Sequence, residues 1–229
     1  MFYYMYFGYG LIIIAFLITL IADIYLRTRY KKYKKVKVKS GMTGAEVARE
    51  ILKSNGLENV YVVETRGYLT DHYDPRSKVV RLSTDIYNGD SIASVSVAAH
   101  ECGHAVQDKE GYFFLKFRSF LVPIVNFSSK FGYLAVLIGL IFGAMNLAWV
   151  GIFLLVAILL FQLITLPVEF NASNRGKMFL SKLKIVDNSE RSMASSMLNS
   201  AAMTYVASLI STLLELLRLV LIVMGNDRD

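Results

Sequence analysis

The sequence predicts a mainly α-helical membrane protein with about four transmembrane helices and a small cytoplasmic α+β domain. Apolar residues make up 55% of the 229 residues, and the mean hydropathy is +0.45. Soluble proteins are roughly 45–50% apolar. Long uncharged runs recur along the chain, with the charged residues concentrated between them. One such charged stretch, residues 40–118, is polar enough to fold outside the membrane.

The first apolar run, residues 8–26, is long enough to cross a bilayer core of about 30 Å. It has no basic leader and no small-residue cleavage site, so we interpret it as an uncleaved anchor. Residues 27–39 follow with eight basic residues and no acidic one. A basic segment beside a span is typical of the cytoplasmic side, which predicts an external N-terminus. The net charge of +7 is therefore attributed to the membrane surface, and no nucleic-acid partner is expected.

An uncharged stretch covers residues 131–168. As one helix it would extend roughly 57 Å at about 1.5 Å per residue, which exceeds one bilayer. A hairpin of two spans is therefore predicted, at about 131–146 and 149–166, with Gly143 at the bend. Both flanks are basic, so the tip is expected outside and the flanks in the cytoplasm. Pro167 is expected to break or start a helix after the second span.

The last apolar run, residues 201–224, contains Glu215 and Arg218 three residues apart, so the two can pair on one helix face. Ionisable residues within a span usually face the protein interior. We predict a fourth transmembrane helix here. A helix lying along the membrane surface is the alternative.

The polar stretch begins with a helix signal. Thr43 and Glu46 can form a capping box before an apolar stripe, and Asn55-Gly56 is a suitable stop. Two later stretches have the character of β-strands, residues 59–64 and 78–83. Together these elements predict an α+β unit, and the strand at 78–83 is expected to offer an edge to an extended peptide.

A second helix of this unit carries the sequence HECGH. Asp90 or Ser91 can cap it, and it is expected to run through Gln107. His100 and His104 are four residues apart on it, so both imidazoles project from one face and can bind one metal ion.

Two further residues of this motif have distinct roles. Glu101 follows the first histidine and can deprotonate a water bound at the same ion, as in zinc hydrolases. Cys102 points to roughly the opposite side of the helix. We expect it to be a packed small residue and not a ligand.

A catalytic zinc ion usually has three protein ligands, so one more is required. His72 is the only other histidine and lies in a predicted turn, where it is expected to be solvated or to contact substrate. Glu169 is the better candidate, because two membrane crossings after His104 return the chain to the same face. An interfacial carboxylate placed only for solubility is the alternative reading of Glu169.

Five motifs occur in order around the hydrophobic hairpin: TDHYDPR, KVVRLS, AAHECGHAVQ, LPVEFNAS and MTYVAS. In this arrangement the chain resembles, over essentially its whole length, the YugP-type membrane zinc metallopeptidases, which are gluzincin-like and distantly similar to HtpX-type membrane proteases. The resemblance implies a zincin-like catalytic domain in a bacterial membrane protein that cleaves peptide bonds. It also implies zinc held by His100, His104 and Glu169, with Glu101 as general base and acid.

The chain departs from the family pattern at two positions. Asn171 stands where an acidic residue is common, and Ser173 stands where distant relatives carry an aspartate. A carboxylate there would orient a ligand histidine, so weaker zinc binding or activity is expected with Asn171. Tyr205 and Arg175 are candidates to stabilise the oxyanion, with anchoring at the membrane interface as the alternative for each.

These observations predict a membrane-bound zinc metalloendopeptidase that acts on protein or peptide substrates near the cytoplasmic face. A site-2-type intramembrane protease and a non-catalytic zinc-binding membrane scaffold are the alternatives. A membrane-protein regulator and a homo-oligomer are left open. The predicted organisation is an anchor (1–26), a basic juxtamembrane segment (27–39), a cytoplasmic catalytic segment (40–118), a transmembrane hairpin (119–168), a third-ligand helix with a cytoplasmic segment (169–200), and a C-terminal transmembrane or interfacial helix with its tail (201–229).

Overall fold

The computed structural model describes residues 2–226, with side chains from residue 8 onward. Met1 and the end of the predicted tail, residues 227–229, lie outside the described residues. The helices are α1 (Phe2–Tyr33), α2 (Gly44–Ser54), α3 (Thr84–Tyr87), α4 (Ile92–Lys109), α5 (Phe113–Ile141), α6 (Met145–Lys182) and α7 (Asn188–Asn226), and the strands are β1 (Tyr61–Thr65), β2 (His72–Asp74) and β3 (Val79–Ser83).

Four helices in the described part of the chain are long and apolar enough to cross a membrane: α1, α5, α6 and α7. This finding confirms the predicted mainly α membrane protein with about four transmembrane helices and a small sheet. By length and composition, α7 can span the membrane.

The chain divides into two compact units, which are described separately. The span unit contains the described residues within 2–23, 117–166 and 204–226. The site unit contains residues 24–116 and 167–203.

In the span unit, α5 and α6 form the predicted hairpin. The chain turns at Gly143, whose φ angle is +68°, a left-handed conformation that favours glycine. The two helices approach closely at small residues, because a Cβ atom on Gly139 would lie only 2.5 Å from the backbone nitrogen of Ala148. Small residues allow such approach between membrane helices, where packing drives association.

The hairpin helices extend beyond the predicted spans. α5 already begins at Phe113, and α6 continues to Lys182. The expectation that Pro167 breaks or starts a helix is wrong, since this residue lies inside α6. A membrane helix tolerates proline because neighbouring groups compensate the lost backbone hydrogen bond. As a consequence, Glu169 lies on the same helix as the second predicted span.

In the site unit, α2 begins and ends as the sequence predicts. The side chain of Thr43 accepts a hydrogen bond from the backbone of Glu46, whose carboxylate accepts one in return, which completes the capping box. Asn55 caps the C-terminus, and Gly56 follows with a φ angle of +62°.

The strands form one sheet in the order β1-β3-β2, with β1 parallel and β2 antiparallel to β3. β1 and β3 correspond to the two predicted strands, whereas β2 was missed and occupies the expected turn around His72. The prediction that the strand at 78–83 offers a free edge is wrong. β3 is central, and its backbone pairs with a strand on each side.

The extended end of the basic segment pairs with the residues that precede α4. The backbone nitrogen of Val38 donates to the oxygen of Asp90, and that of Ile92 donates to the oxygen of Val36, both at 2.8 Å. Three lysines add ion pairs, Lys34 to Asp85, Lys37 to Asp90 and Lys39 to Asp187. The segment therefore supports the start of α4.

The core of the site unit is built mainly from α2, the sheet and α4. Ile51, Val80, Leu82 and Ala98 are fully buried within it. Cys102 is also buried in this core, as predicted for a packed residue.

Candidate metal centre

Helix α4 presents the two motif histidines on one face. It begins after Ser91, one of the two predicted caps, whose hydroxyl accepts a hydrogen bond from the backbone nitrogen of Ser94. The rings of His100 and His104 lie edge to face with centroids 4.7 Å apart, and their Nε2 atoms are 3.2 Å apart. Both imidazoles thus point to one place.

Glu169 of α6 meets these histidines. Its Oε2 atom lies 3.2 Å from Nε2 of His100 and 3.5 Å from Nε2 of His104. Only 2% of Glu169 is exposed. The three ligand atoms lie within 4.8 Å of one another, so the group can hold a metal ion.

Among the described residues, this group does not include His72. That histidine is exposed, and its Nδ1 atom is 2.8 Å from the backbone oxygen of Thr70.

The donor set fits zinc. Two imidazole nitrogens and one carboxylate oxygen form a ligand set of catalytic zinc sites. Each histidine has a separate partner at Nδ1: the Oγ atom of Ser173 lies 3.1 Å from His100, and the Oε1 atom of Gln107 lies 3.0 Å from His104. The Nε2 atoms are therefore the ones that face Glu169.

The electrostatics of the site favour positive charge. Burial alone would lower the pKa of His104, but the hydrogen bond and the negative charge of Glu169 outweigh it and raise this pKa above its usual value. A buried position that stabilises a cation in this way suits a metal ion.

The side chain of Glu101 lies on α4 between the two histidines and is 7% exposed. Helix α4 lies close to α6 at this level because small residues meet there, with Gly103 against Ala172 and Gly176 against Ala99. This close approach positions the carboxylate of Glu169 at the motif.

The two residues that depart from the family pattern lie at the site. Ser173 contacts His100 directly, so a hydroxyl occupies the place where an aspartate was considered. Asn171 contacts neither His100 nor His104 through any described hydrogen bond. Its Oδ1 atom accepts hydrogen bonds from Gln107 and Arg175.

Arg175 and Tyr205 are the two residues that the sequence suggested as oxyanion stabilisers. The guanidinium of Arg175 is held by Glu110 and Asn171, so a role on substrate would require it to leave these partners. Tyr205 belongs to the span unit, and its role stays a prediction.

Gln107 was not predicted from the sequence to contact His104. It lies three residues after His104, and this spacing on a helix indicates that the two side chains are neighbours. No such spacing indicates the partner of Glu110, because Arg175 is distant in sequence.

The fold and the site define a multi-pass membrane protein with a buried zinc-type ligand set. The sequence family described as "Putative neutral zinc metallopeptidase" matches residues 8–224, and the chain belongs to this family, whose cofactor is zinc. The chain is 48% identical over 208 residues to "Putative membrane protease YugP" of Bacillus subtilis (strain 168), covering 91% of this chain and 92% of that protein. No solved structure matches the chain.

Proposed function

We propose that the protein is a zinc-dependent endopeptidase that hydrolyses protein or peptide substrates near the cytoplasmic face of a bacterial membrane. One observation carries this proposal. The Nε2 atoms of His100 and His104 and a carboxylate oxygen of Glu169 converge within 4.8 Å, and Glu101 directly follows His100 on the same helix. The relative described as "Putative membrane protease YugP", which is 48% identical to the chain, supports the same reaction class.

In this proposal, His100, His104 and Glu169 hold zinc. Zinc in such a site polarises a carbonyl group and makes water more acidic. Glu101 accepts the proton of the attacking water on its carboxylate and passes it to the nitrogen of the leaving amine. Because Glu101 is mostly buried, bulk water competes little for that proton.

A site-2-type intramembrane protease would carry its histidines on a transmembrane helix. In the described part of the chain, α4 is not among the helices that can cross a membrane. It begins at the pairing with the basic segment and packs in the core of the site unit. These observations favour a site outside the hydrocarbon layer.

The proposal is tested by comparing wild type with Glu101→Gln and with Glu58→Gln, a control at an exposed glutamate of the site unit. Each protein is purified in detergent, its zinc is measured, and its cleavage of casein is followed. We expect Glu101→Gln to keep its zinc and lose cleavage by roughly 10²–10⁴-fold, whereas Glu58→Gln behaves as wild type. Cleavage that survives in Glu101→Gln overturns the mechanism. Zinc without any cleavage in wild type favours the non-catalytic scaffold.

The cytoplasmic orientation rests on the basic residues that follow the first span. It can be tested with single cysteines, because the natural Cys102 is buried. We compare Glu58→Cys in the site unit with Ala144→Cys at the hairpin tip, both exposed positions. An impermeant maleimide on intact cells should label only Ala144→Cys. Labelling of Glu58→Cys alone would reverse the orientation.

A further inference from the structure

A network of polar side chains links the C-terminal end of α4 and the Asn171–Arg175 segment of α6 to His104. Arg175 forms a two-pronged ion pair with Glu110, at 3.0 and 2.5 Å, and its Nε atom donates to Oδ1 of Asn171 at 2.7 Å. The Nε2 atom of Gln107 donates to the same Oδ1 at 2.9 Å and to the backbone oxygen of Val168 at 2.8 Å. Gln107 is completely buried.

In this network, the donor and the acceptor of each hydrogen bond are fixed by the chemistry of the side chains. Arginine can only donate, so Asn171 must present its oxygen to Arg175. Gln107 then faces two acceptors, that oxygen and the carbonyl of Val168, and must direct its NH₂ group toward them. The oxygen of Gln107 is therefore directed at Nδ1 of His104. As a result, neutral His104 must carry its proton on Nδ1, which leaves Nε2 free of a proton and able to bind a metal ion.

We propose that Gln107 is a positioning residue for the metal site: it holds His104 in the tautomer that offers Nε2 to zinc, and it ties α4 to the segment of α6 that carries Glu169. The inference rests on the proposed function, because it takes His104 as a zinc ligand. Gln107 also donates a hydrogen bond to the backbone oxygen of Val168, the residue directly before Glu169. One side chain therefore helps to position both His104 and Glu169.

The second histidine is controlled differently. His100 meets the hydroxyl of Ser173, which can either donate or accept a hydrogen bond. Ser173 therefore orients the ring of His100 without dictating its tautomer. Loss of Gln107 should consequently weaken zinc binding more than loss of Ser173.

The test compares Gln107→Leu and Gln107→Glu with Gln162→Leu, which makes the same change at a glutamine of the span unit. Zinc affinity is measured on the full-length protein in detergent by competition with a chromogenic chelator, together with the visible spectrum of the cobalt-loaded protein and the Tm of the metal-free protein. Loss of an outer partner of a ligand histidine typically costs 10–100-fold in metal affinity.

We expect Gln107→Leu to weaken zinc binding by about 10–100-fold and to change the cobalt spectrum. Gln107→Glu should bind zinc more tightly than Gln107→Leu, since a carboxylate still accepts a hydrogen bond from Nδ1 of His104. Gln162→Leu should stay within a few-fold of wild type, and Ser173→Ala should lose less zinc affinity than Gln107→Leu. If Gln107→Leu does not fold, Gln107→Met takes its place in the comparison with Gln107→Glu.

The inference is overturned if the apolar variant keeps wild-type zinc affinity and cobalt spectrum, or if the apolar and Glu variants are equally impaired. A lower Tm of the metal-free protein at unchanged zinc affinity would assign Gln107 a purely structural role and also overturn it. Failure of wild type to bind zinc at all would instead contradict the proposed function.

Discussion

Gly103, at the centre of the HECGH motif, lies directly against the backbone of Ala172 on α6. A Cβ atom on Gly103 would stand 2.6 Å from the carbonyl oxygen of Ala172. Real Cβ atoms do not approach backbone atoms so closely, so only glycine permits this crossing. The distance between α4 and α6, and with it the position of Glu169, therefore depends on a residue that has no side chain.

Gly103→Ala should accordingly damage the metal site although alanine favours helices. The gain in helix propensity is about 1 kcal/mol, whereas overpacking of a core costs about 1–3 kcal/mol and moves the backbone. We expect reduced zinc content in Gly103→Ala, measured by metal analysis after purification. Gly10→Ala is the control, because a Cβ there meets nothing within 4 Å. Full zinc occupancy in Gly103→Ala would contradict this account of the crossing.

The sequence allowed prediction of those parts of the site that follow local rules. The spacing of His100 and His104 places both on one helix face, and Ser91 has the side chain of a helix cap. Glu169 required a different argument, the expectation that two membrane crossings after His104 return the chain to the same side. The structure brings these three side chains together.

Other features depend on partners that are distant in sequence and leave no local pattern. β2 has only three residues, too few for an alternation to be recognised, and it exists through its pairing with β3. α6 continues through Pro167, contrary to the local rule for proline. The spacing of Gln107 from His104 is a local signal, but the hydrogen bonds of Gln107 to Val168 and Asn171, on which its proposed role also depends, are not.

Glu169 should be needed for zinc binding, and a second buried glutamate offers a matched comparison. Glu190 is also buried in the site unit, where its carboxylate accepts hydrogen bonds from the backbone nitrogens of Lys39 and Asp187. We expect Glu169→Gln to lose more zinc affinity than the roughly 10–100-fold that loss of an outer partner costs. Glu190→Gln should lower the Tm and keep zinc affinity. Equal zinc binding by wild type and Glu169→Gln would remove Glu169 from the ligand set.

Cys102 should be unreactive in the folded protein. Burial raises the pKa of its thiol far above the usual value, and the charge of Glu101 acts in the same direction. The thiolate, which is the reactive form, is therefore scarce at any pH from 7 to 9. We expect no alkylation by a small maleimide until the protein is denatured, whereas Glu58→Cys reacts at once. Rapid labelling of Cys102 in the folded protein would contradict its burial in the core.

The span unit contains an ion pair within a single helix. Nη1 of Arg218 donates to Oε1 of Glu215 at 2.8 Å, and a Cβ atom on Gly8 would lie 3.3 Å from Cγ of Arg218. The stem of the arginine thus packs against α1. Both charges lie in an apolar segment where water is scarce, so each charge is stabilised mainly by the other.

Replacing one member of this pair should destabilise the protein more than replacing both. Arg218→Leu or Glu215→Leu leaves one charge unpaired. The side chains of Arg218 and Glu215 are 23% and 26% exposed, so we expect a cost of about 2 kcal/mol, below the roughly 3–5 kcal/mol of fully buried pairs. The double variant should recover most of that loss, because two leucines suit the apolar surroundings. Thermal unfolding in detergent is measured for wild type, both single variants and the double variant. Arg191→Leu, at an exposed arginine, is the control. A double variant as unstable as the sum of both single variants would show that the two charges act independently.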